Sequence, residues 1–177
     1  MIFPSIYLQI KKMKRKNITK DTIPEGFSLL LAIVDILPVI FFCLALMIFS
    51  YRTSFYSYHI ILGGIMVIIS GLIKVFWKII AALKKKNVWW MFVQMRIIFP
   101  IGFSMIFFGM IQGYKNYSNY IYSASFINKL FFSLFILGMI LMSVFAVSLD
   151  QMNPKSNWIE QITNSISMVC LCFAAWI

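Results

Sequence analysis

Five apolar stretches, at 27–50, 58–83, 88–112, 130–149 and 158–177, each match the roughly 20 residues that an α-helix needs to cross a hydrocarbon core. In a chain of 177 residues, that pattern leaves room for little besides the connecting loops. The composition agrees. Only 12% of residues are charged and 62% are hydrophobic, whereas soluble domains carry about 25% charged residues to cover their surface. A soluble enzyme, a secreted disulfide module and a disordered chain are excluded on that ground. The expected fold is all-α, a single polytopic transmembrane bundle over 27–177 with five spanning helices. The last stretch is barely long enough to cross, so four spans followed by a re-entrant C-terminal segment is the alternative.

Residues 1–26 read as a short interfacial segment. Its apolar start, MIFPSIYLQI, is too short to span and precedes its basic block, the reverse of a signal peptide. Lys11, Lys12, Lys14, Arg15 and Lys16, together with Lys84, Lys85 and Lys86 of a later loop, are expected to contact anionic lipid head groups. Thr22, Pro24 and Glu25 have the spacing of a capping box ahead of the first helix. The net charge of +11 is arranged in blocks beside apolar runs, which points to the membrane surface and away from nucleic acid.

Orientation follows from where Lys and Arg cluster. Six lie in the N-terminal segment and three at Lys84–Lys86, against Arg52, Lys115 and Lys129 on the other side. The N-terminus is therefore expected in the cytoplasm of a multi-pass cell-membrane protein. Trp77, Trp89, Trp90 and Trp158 mark the same boundary, and Tyr51, Tyr58, Tyr114 and Tyr122 are among those marking the opposite one. The abundance of Ile, Phe, Lys, Asn and Tyr fits an AT-rich genome, hence a bacterial inner membrane.

Ionisable groups inside a bilayer cost about 2.5–3.5 kcal/mol each on insertion scales, so each one asks for an account. Asp35 and Arg96 both lie about eight residues into helices that enter from the same side, an estimated ~12 Å deep. They are the expected ion pair, joined by Lys74 and Gln94 in an intramembrane polar cluster. The competing reading lets Lys74, Lys78 and Arg96 reach the head groups with their long side chains. Asp35 is too short for that and needs a protein partner. Pro38 and Pro100 each follow one of the two charges and free the carbonyls of Val34 and Arg96. The pairs Gly64/Gly71 and Gly102/Gly109 are spaced to form one seam between the second and third helices. Asn157 and Glu160 read as the start of the fifth helix, after a turn at Asn153-Pro154.

No nucleophile–base pair, zinc signature, paired-carboxylate site or phosphate loop is written in the chain. The twelve methionines, Met91 and Met95 included, read as core filler, and Cys170 and Cys172 point apart on a helix. The expectation is therefore no enzyme, no cofactor and no metal. What fits best is a membrane protein that binds another membrane protein or its own copy, as an accessory or immunity-type factor. A small transporter or channel using Asp35, Arg96 and Lys74 is the alternative, and a lipid-handling protein a second one.

Overall fold

The computed structural model describes residues 22, 27–53, 57–150 and 152–177. Every regular element among them is a helix: α1 (Leu29–Val34), α2 (Ile36–Thr53), α3 (Tyr58–Lys84), α4 (Trp89–Val93), α5 (Met95–Gln112), α6 (Tyr114–Ser123), α7 (Phe126–Ser148) and α8 (Pro154–Trp176). The helix pairs α1–α2 and α4–α5 each form one nearly continuous span, broken for a single residue at Asp35 and at Gln94. Four spans, Leu29–Thr53, Tyr58–Lys84, Trp89–Gln112 and Phe126–Ser148, are long and apolar enough to cross a membrane. The fold is a multi-pass helical bundle.

Local chemistry sets the helix ends. The Ser28 hydroxyl accepts from the Leu31 amide at 3.2 Å and caps α1. This start lies beyond the capping box expected from Thr22, most of which falls outside the described residues. At the break, the Asp35 amide donates to Leu31 and Ile33 carbonyls, and Pro38 sits in the first turn of the resumed helix. Ser125 caps α7 by accepting from the Asn128 amide, so this span begins one turn before the expected 130. The Tyr-rich stretch ahead of it forms a helix of its own, α6.

The last helix also starts earlier than expected. Asn153 caps it by accepting from the Lys155 amide at 2.9 Å, with Pro154 as the first helical residue. Asn157 and Glu160 are thus interior residues of α8 and not its cap. At 23 residues α8 has the length of a span, about 34 Å. Its lower apolarity has a visible cause: Ser156, Asn157, Gln161 and Ser167 are all buried within the bundle. The polar side of this helix faces protein.

The helices pack as a row in the order α5, α3, α1–α2, α8, α7. α3 and α5 approach most closely at Gly63 and Gly102, where a Cβ on Gly63 would stand 2.5 Å from the Gly102 carbonyl oxygen. Gly109 faces Ile60 on the same seam. Gly64 and Gly71 do not share it: they face Leu46 and Val39 of α2, so the second helix uses one glycine row for each neighbour. Gly138 of α7 lies directly against Ser167 of α8. One core cluster gathers Phe27, Leu31, Trp77, Ala81 and Met91 at the Lys84 end of α3. A second, built on Phe42, Val67 and Met168, fills the middle of the bundle.

Candidate functional site

Ser70, Lys74 and Lys78 recur every fourth residue along α3 and so share one face. Against the lysines stands Asp35, placed by the break between α1 and α2. Its Oδ2 lies 2.8 Å from Lys78 Nζ and its Oδ1 lies 3.8 Å from Lys74 Nζ. The Asp35 and Lys78 side chains are 3% and 4% exposed, whereas Lys74 keeps 24% of its surface. Lys78 therefore holds the tight, desolvated contact and Lys74 the looser outer one.

The surroundings hold Lys78 in place. Its ammonium lies 5.5 Å from the centre of the Phe27 ring, a cation–π distance. Phe27 meets Trp77 edge-on at 5.1 Å, and the Trp77 indole N–H donates to Asn87 Oδ1 at 3.0 Å. Asn87 Nδ2 donates in turn to the Thr22 carbonyl at 2.9 Å, which ties the chain ahead of α1 to the corner after α3. From the other flank, Glu160 of α8 attracts the Lys78 ammonium electrostatically. The Asp35 carboxylate thus joins the break between α1 and α2 to two ammonium groups of α3, and Glu160 of α8 adds a weaker pull on Lys78.

The expected pair of Asp35 with Arg96 is not formed. Arg96 is exposed on α5, its guanidinium 4.8 Å from the centre of the Phe92 ring. Helix register explains the difference. The contacts Val39–Gly71 and Leu46–Gly64 put Asp35 level with the turn between Lys74 and Lys78. Gly63–Gly102 and Ser70–Gln94 put Arg96 level with Ile69, roughly 9 Å deeper. Counting residues from each helix start cannot reveal an offset that is fixed by how the helices slide past one another.

Gln94 also lies apart from the charges. Its Oε1 accepts from the fully buried Ser70 hydroxyl at 3.1 Å, while Nε2 donates to the Ser70 and Met91 carbonyls at 3.2 Å. It clamps α3 to the break between α4 and α5. Of the four residues expected in one cluster, the structure brings together Asp35 and Lys74, and sets Gln94 and Arg96 elsewhere. Lys78 completes the cluster instead, with Glu160 of α8 acting on it electrostatically. The four-residue spacing of Lys74 and Lys78 was the signal available for Lys78. Glu160 was masked by its resemblance to a helix-start residue.

At the opposite end of α3, Ser57 Oγ and His59 Nδ1 lie 3.4 and 3.1 Å from Gln112 Oε1 and fasten α3 to the end of α5. Among the described residues, no group of three or more His, Cys, Asp or Glu side chains is placed to hold a metal ion. No family model, curated protein or solved structure matches the chain.

Proposed function

We propose that the chain is a non-catalytic membrane protein that works by binding another membrane protein, as an accessory or immunity-type factor. The observation that carries this reading is the mutual engagement of its buried charges. Asp35 and Lys78 face each other at 2.8 Å with 3% and 4% exposure, an arrangement suited to fixing helix positions. The ends of the row support it as well, since only 11% of the apolar stretch of α4–α5 and 6% of that of α7 is buried. A resident helix of another protein would find both flanks open.

In the same reading the protein sits in a bacterial inner membrane with its N-terminus in the cytoplasm. Lys84–Lys86 and the N-terminal basic block, which lies outside the described residues, rest on anionic head groups. The test is extraction of the tagged full-length chain from its native membrane in a mild detergent, followed by native mass measurement. A complex of fixed composition with one other membrane protein is expected. A chain recovered alone, together with a pH-dependent flux in proteoliposomes that Asp35→Asn abolishes, would replace this reading with the transporter.

A further inference from the structure

Arg96 lies seven residues into the span Trp89–Gln112, about 10 Å along its axis. Its side chain turns back toward the start of the span. The guanidinium lies 4.8 Å from the centre of the Phe92 ring, one helical turn nearer that end. The ring is itself held in place: Phe92 packs against Trp77 at 5.0 Å and against Trp89 at 5.4 Å between ring centres. Trp77 is 2% exposed and anchored by its bond to Asn87. Trp89, Phe92 and Arg96 thus form a ladder along one side of the helix. It begins three residues after the loop of Lys84, Lys85 and Lys86, all of them exposed. Among the described residues, both ion pairs belong to Asp35, and neither includes Arg96. A guanidinium inside a span is costly unless an anion meets it.

We infer that Arg96 binds the phosphate of an anionic phospholipid from the leaflet at the Lys84–Lys86 end of the bundle. This goes beyond the partner-binding reading and does not depend on it. Depth comes first. The span of 24 residues is about 36 Å long against a hydrocarbon core of about 30 Å, so roughly one turn of it can stand among the head groups. With its side chain turned back by a turn, the guanidinium reaches the edge of the hydrocarbon, where a lipid phosphate has little distance to dip. Donor geometry comes second. A guanidinium presents its N–H groups as a planar fork that matches two phosphate oxygens, and a ring fixed by two tryptophans holds that fork in position. The rim completes the site. Trp90, 62% exposed, belongs with the rings that collect at head-group level, and the three lysines favour a head group with net negative charge. A lipid carries its phosphate to this depth by its tails, which a soluble anion lacks.

The test uses the purified full-length chain in detergent micelles, with bound lipids counted by native mass measurement. The probes are dioleoylphosphatidylglycerol and dioleoylglycerol, which has the same tails and no phosphate. The first phosphatidylglycerol is expected to bind about tenfold more tightly than the first dioleoylglycerol, equivalent to ~1.4 kcal/mol. Arg96→Met should erase that difference, whereas Lys115→Met, which removes an exposed charge beyond the opposite end of the span, should keep it. An excess of inorganic phosphate should leave the lipid bound. Because Arg96 is exposed, its variant should elute from a sizing column like the wild type. Equal binding of the two lipids by the wild type overturns the inference without recourse to any variant. An equal loss in Arg96→Met and Lys115→Met also overturns it, since net charge would then be the attraction. Displacement by inorganic phosphate overturns the lipid as the source and leaves a site for a soluble anion.

Discussion

Replacing Asp35 by Leu strands the Lys78 ammonium, which is 4% exposed and paired with Asp35 at 2.8 Å. Removing one member of a buried ion pair costs about 3–5 kcal/mol, mostly through the uncompensated charge left behind. Lys78→Met should cost a similar amount by stranding Asp35. Replacing both charges by apolar groups of similar size, as Asp35→Leu with Lys78→Met, removes the cause, and the double variant should fall within about 1.5 kcal/mol of wild type. The two single effects are then far from additive, with a coupling of several kcal/mol. Lys74→Met should cost no more than about 1 kcal/mol, because Lys74 is 24% exposed and 3.8 Å away. Reversible unfolding in mixed micelles, followed by loss of helical circular dichroism, reads all four variants. Additivity within about 0.5 kcal/mol would refute the reasoning, since distant and independent sites behave that way.

Other parts of the bundle make their own forecasts. Gly63→Leu would force side-chain atoms into the Gly102 backbone and should destabilise the protein by about 1–3 kcal/mol or more, seen as a lower unfolding midpoint. Gln94→Leu removes the clamp on Ser70 and should cost about 0.6–1.7 kcal/mol in the same assay. Lys85 ends α3 in the left-handed region at φ 50, so Lys85→Gly should stabilise by about 1 kcal/mol, and a lower midpoint would contradict that. Single cysteines at Lys85 and at Ser118, in a background without native cysteines, should react with an impermeant thiol reagent from opposite sides of the membrane.

The sequence made the helices legible and left their mutual arrangement hidden. Four spans could be located to within about a turn, because an apolar run of that length has few other uses. The fifth helix was harder, since Ser156, Asn157, Gln161 and Ser167 look like solvent-facing residues until α2 and α7 are seen to flank them. Gly102 and Gly109 were rightly placed on the α3–α5 seam, but Gly63 and Ile60 meet them there, not Gly64 and Gly71. The charged site was half visible. That Asp35 needs a partner follows from its short side chain, and Lys74 was expected in its cluster, but Arg96 was the expected pair. That Lys78 takes the closest position, and that Arg96 stands roughly 9 Å deeper, depends on the axial offset of α3 against its two neighbours. Such offsets are set by glycine contacts distributed along whole helices, and no local motif records them.

In the proposed function, the buried charges hold the bundle together and partner binding uses its outer flanks. The most direct test is native mass measurement on the charge-free double variant, Asp35→Leu with Lys78→Met, extracted from the native membrane. The account predicts that this folded variant keeps its membrane partner at the wild-type stoichiometry. A variant that folds with wild-type stability yet has lost its partner would contradict it, because the buried charges would then belong to the function and not to the frame.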